Sequence, residues 1–196
     1  MGSRRVAIIV TGICRSLGAL VIALVAFNLS QDPSHGNLEP GSVCQAAHVA
    51  ITLTDTGGAG PTIGGFMRFK NDGRNPCRLQ GWPKVTAVSA TGRTMVAERH
   101  RTTPLGPFRV FTQAPRLIVR PGQSAFAALV GSDVGPHLQC PSPYHTLSVR
   151  LPGSSSTVTL SAWLPGLHSD LLACTPLQVS MILPPTVIRL YPAAYR

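Results

Sequence analysis

Gly64 to Pro83, GGFMRFKNDGRNPCRLQGWP, constrains the fold of this chain more than any other stretch. Phe66 to Lys70 predicts a β-strand, Asn71 to Pro76 a polar turn, and Gly81-Trp82-Pro83 a tight corner with a bulky apolar anchor. Cys77, between turn and corner, is a candidate half-cystine. Strand, turn, staple and anchor within one short run are what a small exported β-domain needs.

Four cysteines fall beyond the N-terminal region: Cys44, Cys77, Cys140 and Cys174. An even number in an exported chain implies two disulfides, and four cysteines allow three pairings. Sequential pairing would close two loops of about 34 and 35 residues, each stabilising the domain by roughly 3.8 kcal/mol in the chain-entropy picture. No two of them lie at the close spacing of a zinc knuckle, which argues against a metal.

Flanking sequence repeats the strand-and-turn theme. Ala47 to Thr54 alternates with period two, placing Ala47, Val49, Ile51 and Leu53 on one face. Thr56 to Thr62 (TGGAGPT) reads as a flexible loop. Lys84 to Ser89 and Thr94 to Ala97 flank a hairpin turn at Ala90-Thr91-Gly92. Arg116 to Arg120 alternates again before a Pro121-Gly122 turn, where proline presets φ and glycine supplies a positive φ. Ala125 to Val130 is apolar enough for a central strand, and Gly131 to Tyr144 reads as a long connection. Thr146 to Leu151, Thr157 to Ala162 and Leu177 to Leu183 complete the series. Val149, Leu151, Val158, Leu160, Val179 and Met181 are the expected inward residues, with Trp82 and Trp163 as core or corner anchors. Roughly nine strands at intervals near a dozen residues, without an amphipathic helix between them, predict an all-β antiparallel sandwich, with a closed barrel as the competing architecture. Gly 19 and Pro 18 among 196 residues agree with a chain of many turns and short elements.

Ahead of the domain, Arg4 and Arg5 precede an uninterrupted apolar run from Leu17 to Phe27. A positive start and a short apolar core are the layout of a secretory signal peptide. Small residues at cleavage positions are missing behind Phe27, so an uncleaved anchor competes with a cleaved signal. Arg15, in the middle of Val6 to Leu29, makes a full span costly by about 2.5–3.5 kcal/mol. Either way the rest of the chain is expected outside the cytoplasm, anchored in the membrane by a helix or secreted. The expected divisions are 1–30 (signal or anchor), 31–43 (polar linker), 44–184 (the β-domain) and 185–196 (a C-terminal tail).

Formal charge is +10, and leaving out residues 1–30 still leaves +7, from 14 cations against 7 acids. A basic exported domain is drawn to anionic lipid or acidic wall polymer, and the export signal argues against nucleic acid. Arg93, Arg99, Arg101, Arg109, Arg116 and Arg120, with His100, Phe108 and Phe111 among them, are the candidate anion-binding group. Gathered on one face they would read phosphate or carboxylate bidentately.

Motifs for chemistry are missing. Asp55, Asp72, Glu98, Asp133 and Asp170 are isolated, and turn aspartates more often bend the backbone than react. His48, His100, His137, His145 and His168 show no ligand spacing, and Gly122 to Phe126 lacks the closing glycine and following helix of a nucleophile elbow. No cofactor or catalytic residue is expected. The leading expectation is a non-enzymatic extracytoplasmic module that contacts anionic envelope components or a protein partner. An envelope hydrolase or metal-dependent enzyme with an unrecognised site is the alternative, and a passive structural module of a wall complex is the third.

Several of these residues together resemble a known family. They are Cys44, Asn71, the run Cys77-x-Leu79-x-Gly81-Trp82-Pro83, and Leu117-x-x-x-Pro121-Gly122-x-Ser124-Ala125. Cys140, Leu147-x-Val149-x-x-Pro152, Val158-x-Leu160, Cys174 and Leu177-x-Val179 continue the series. In this order and spacing they are similar to the actinobacterial exported domain-of-unknown-function family numbered four-two-three-two, from Cys44 to about Pro184. Trp82 stands where that family more often has Tyr. The resemblance implies an immunoglobulin-like sandwich at a cell envelope and brings no catalytic residues.

Overall fold

Side-chain alternation sorts the strands into two main sheets that share one core. The computed structural model describes residues 41–100, 113–134, 140, 143–174 and 176–188. The chain divides into two units, Met1–Gly36 and Asn37–Arg196, and every described residue belongs to the second. The expected membrane segment at 1–30 and the linker as far as residue 40 lie outside the described residues. Among the described residues no helix is long and apolar enough to cross a membrane.

The described residues form thirteen strands: β1 Val49–Ala59, β2 Thr62–Asn71, β3 Cys77–Leu79, β4 Lys84–Ser89, β5 Thr94–Val96, β6 Glu98–His100 and β7 Leu117–Val119. They continue as β8 Ser124–Ser132, β9 Tyr144–Arg150, β10 Thr157–Ser161, β11 Trp163–Leu164, β12 Ser169–Asp170 and β13 Gln178–Ser180. One sheet has the order β1-β2-β8-β13-β6 and the other β10-β9-β4-β5, with two-stranded ribbons β3-β7 and β11-β12 beside them. The architecture is all-β and sandwich-like. It is not wholly antiparallel, because β13 pairs with β6 in parallel.

Met67 and Phe69 of β2, Ala127 and Leu129 of β8, and Val179 of β13 meet Val85, Ala87, Leu147 and Val149 of the other sheet in the main core. The residues between them point the opposite way. Phe66, Ala128 and Val130 join Met181 and Leu183 in a second cluster on the outer face of the five-stranded sheet, with Trp82, Ala114 and Phe126 packed against it. Strand β8 is therefore apolar on both faces along Ala125 to Val130, which explains why that stretch reads as a continuous apolar run.

The disulfides pair in sequence order, Cys44–Cys77 and Cys140–Cys174, with Cα–Cα distances of 4.8 and 4.6 Å. Such bonds persist in oxidising compartments outside the cytoplasm. Just ahead of Cys44, the last two residues of the expected linker already belong to the domain. Arg78 N–H donates to Ser42 O, and Val43 bridges Arg78.

Several expectations need correction. Thr56 to Thr62 is not a flexible loop: β1 runs to Ala59 and pairs with β2 as far as Thr62. A bulge between Thr54 and Gly57, with Asp55 at φ 48, lengthens β1 by one residue, and Gly57 then faces Gly64. The glycines serve close approach. A Cβ on Gly65 would lie 2.7 Å from Thr56 Cγ2, and one on Gly64 would lie within 2.2 Å of Leu129 O. Ala47 sits in a short 3-10 turn, Ala46–His48, and is exposed, so β1 begins at Val49. Gly131 and Ser132 extend β8 rather than starting a connection, and His100 ends β6 rather than opening a loop. Val158 and Leu160 are only half-buried because β10 is the edge of its sheet. Trp82 is half-buried as an anchor, its indole N–H donating to His100 O at 3.0 Å. Trp163 is not an anchor: it is 44% exposed, while its neighbour Leu164 points inward. Past Pro184, Pro185–Ile188 forms one helical turn, and the rest of the tail lies outside the described residues.

Asn71 ties the organising stretch together. It is 1% exposed, and its side-chain amide donates to Asn75 O at 2.8 Å and to Val119 O at 2.9 Å. Its carboxamide oxygen accepts from Gly73 N–H at 2.9 Å, while its backbone bonds to Gln123 and Gly122. One residue thus joins the polar turn after β2, strand β7 and the Pro121-Gly122 turn. Asn71→Ala removes all three side-chain bonds and leaves the buried Val119 O unpartnered, and we expect a loss of about 2–4 kcal/mol, read from urea denaturation of the oxidised domain. A loss below about 0.5 kcal/mol would show that water replaces the amide.

Candidate functional site

Arginine side chains at the ends of short strands can be brought together only by the sheets that carry them. Arg93 lies in the β4–β5 hairpin with its guanidinium 5.1 Å from the centre of the Tyr144 ring, a cation–π contact within the four-stranded sheet. Arg99 is exposed on β6, at the far edge of the five-stranded sheet. Arg116 and Arg120 flank β7 and are exposed, the backbone N–H of Arg120 donating to Gln123 Oε1 at 3.2 Å. Arg101 and Arg109 lie outside the described residues, as do Phe108 and Phe111. Of the described members of the group, Arg93 and Arg99 belong to different sheets, and neither lines the groove that Arg116 lines.

Arg116 is instead brought beside Arg68, a residue absent from that group. The two line one groove of about 430 Å³, together with Leu117, Ile118, Gln123, Ser124, Phe126 and Pro184. Arg68 is placed by β2, where its Cα partners are Thr52 on β1 and Phe126 on β8. Alternation from Phe66 turns it onto the outer, apolar face of the five-stranded sheet. Its Nε is buried and has no hydrogen-bond partner among the described residues. A guanidinium N–H withdrawn from water in this way costs about 1–3 kcal/mol or more unless something accepts from it. Apolar walls with two guanidinium groups and the Gln123 and Ser124 side chains fit an anionic head joined to an apolar body. The signal in the sequence is a charge at the alternate position directly behind Phe66.

Among the described residues no other buried side-chain nitrogen or oxygen lacks a hydrogen-bond partner. A hollow of about 490 Å³ beside the Cys44–Cys77 bridge is lined by His48, Asp72, Arg74 and Asn75 and carries both signs of charge. Lys70 and Asp72 form an exposed ion pair at 2.6 Å, of a kind worth about 1 kcal/mol or less. Among the described residues no three of His, Cys, Asp or Glu approach closely enough to hold a metal ion. His145 Nδ1 lies 2.6 Å from Asp170 Oδ2, a pair the sequence spacing does not reveal. Ser161 nearby has its hydroxyl engaged by Trp163 N–H.

The fold and the groove define a disulfide-clamped, sandwich-like all-β domain with a basic, apolar-walled surface cleft. Residues 44–181 match the family described as Domain of unknown function (DUF4232), and the chain belongs to that family. The match covers the organising stretch, all four disulfide cysteines, and both Arg68 and Arg116. No curated protein and no solved structure matches the chain.

Proposed function

We propose that this domain is a non-enzymatic binding module of the cell envelope, working outside the cytoplasm, whose Arg68–Arg116 groove takes the headgroup of an anionic lipid. The observation that carries the reading is the buried, unpartnered Nε of Arg68 beside an apolar wall. A phosphate accepts from guanidinium groups with charge-assisted geometry, and acyl carbons cover Ile118 and Phe126. An N-terminal signal or anchor at 1–30, two disulfides and a positive charge all favour an oxidising site next to an anionic surface. An immunoglobulin-like arrangement of the two sheets belongs to the same proposal, supported by the sandwich-like layering.

Cosedimentation of the full chain with phosphatidylcholine vesicles, with and without phosphatidylglycerol, tests the reading. Binding should require phosphatidylglycerol and weaken as salt rises from about 0.05 to 0.5 M, since exposed charges are screened over that range. Arg68→Gln should lower affinity about tenfold, corresponding to roughly 1.4 kcal/mol, with the melting temperature unchanged or raised. Equal binding to neutral vesicles, or an R68Q variant that binds like wild type, rejects the groove. Inorganic phosphate competing as well as vesicles do would indicate a free anion rather than a lipid as the ligand.

A further inference from the structure

A second surface, sharing no residue with the groove, is built around Trp163. Its strand β11 pairs with β12, and Asp170 is the direct Cα partner of Trp163, so both side chains stand on the same side of the ribbon. His145 reaches that side from β9. On β4 the register moves one residue, from Val88 to Ser89, while on β9 it moves two, from Thr146 to Tyr144. His145 is the extra residue, and the bulge turns it outward while Tyr144 stays buried. Its Nδ1 then meets Asp170 Oδ2 at 2.6 Å.

The platform is held from beneath. Leu164 and Leu171 are buried on either side, and Ser161 Oγ accepts from Trp163 N–H at 3.1 Å. The turn Pro165–Leu167 that closes the ribbon is pinned to β1, because Gly166 N–H donates to Thr56 Oγ1 at 2.7 Å. Thr56 O stands where a Cβ on Gly166 would be, so only glycine allows that contact. An exposed indole is costly to keep in water, and this one sits on a braced ribbon. Its own N–H has no partner among the described residues, whereas the Trp82 indole has one.

We infer that Trp163, Asp170 and His145 form a binding site for a neutral saccharide. A pyranose ring offers an apolar face of C–H groups to an aromatic ring and a rim of hydroxyls to polar neighbours. The indole supplies the first surface. Asp170 keeps one carboxylate oxygen beyond its bond to His145 to accept from hydroxyls, and His145 presents Nε2. The carboxylate beside the indole disfavours an anion, so this surface selects a different chemistry from the arginine groove.

Titration of the full-length chain with the β-1,4-linked tetramer of N-acetylglucosamine and with cellotetraose, by calorimetry, reads the site. Saturable binding of at least one is expected. Trp163→Ala should weaken it at least about tenfold and Trp163→Phe by less, because a smaller ring still stacks. Asp170→Asn should weaken it several-fold. Trp163 is exposed, so W163A should melt with wild type and loss of binding cannot be ascribed to unfolding. No heat from either sugar up to its solubility limit, or binding that survives W163A, overturns the assignment. Heat from an indole- or phenyl-bearing peptide in place of either sugar overturns it too, in favour of a protein partner.

Discussion

Replacing Cys44 and Cys77 together by alanine lowers the unfolding free energy by about 3–4 kcal/mol, the expected result for a loop of this length. The bond spans 33 residues of sequence, and those residues include β1, β2 and the turn clasped by Asn71. Cys44 is fully buried, its backbone N–H donating to Arg78 O at 3.1 Å, so the bridge also holds the segment before β1 onto β3. Without it the unfolded chain regains the entropy of an open loop, and the Ser42–Arg78 pairing has no covalent support. For a domain whose whole stability is about 5–15 kcal/mol, that is a large share. The comparison is urea denaturation of oxidised wild type against the C44A/C77A variant. A difference under about 1 kcal/mol, or free thiols at Cys44 and Cys77 in the purified chain, would remove the clamp from the account of this fold.

Gly64→Ala is expected to be at least as damaging, for a different reason. Its Cβ would meet backbone on the neighbouring strand, Leu129 O at 2.2 Å and Val130 Cα at 2.9 Å. Neither atom is the end of a flexible side chain. β2 and β8 would have to part at the Gly64–Val130 pair, in the middle of the five-stranded sheet. Overpacking a core ordinarily costs about 1–3 kcal/mol and more where backbone is the obstacle, so a loss of about 3–5 kcal/mol is expected. Gly122→Ala separates space from conformation. That glycine has φ 77 in an open turn with nothing within 4 Å of the added carbon, and should cost only about 1–2 kcal/mol. Thermal unfolding followed by near-ultraviolet circular dichroism ranks the two. If G64A melts with or above G122A, close strand approach is not what the glycine provides.

That contrast shows where sequence reading succeeds and where it stops. Lys84 to Ser89 was legible to the residue, because alternation, a flanking Pro83 and the Thr91-Gly92 turn all agree. Thr56 to Thr62 misleads because glycine means either freedom or crowding, and only the strand packed against it decides which. Strands of two or three residues, such as Cys77–Leu79 and Trp163–Leu164, are too short to show a period. Among candidate binding residues, Arg116 could be named from charge alone. Arg68 could not, since its importance comes from the apolar face it occupies on β2. His145 is hidden for a related reason: a one-residue bulge shifts its side chain against the alternation of its own strand. Family membership was legible through cysteine, glycine and proline positions that make turns and staples, and these say little about a ligand.

The place of β13 in its sheet has a consequence for how the molecule comes into being. Among the described residues Gln178–Ser180 is the last strand, yet it lies between β8 and β6. Until it arrives, β8 offers a bare ladder edge and Glu98–His100 lacks its strand partner in the sheet. A chain delivered from its N-terminus cannot complete this sheet until Gln178–Ser180 has emerged. The hazard on arrival is strand exchange between two unfinished copies, each lending its own last strand to the other's gap.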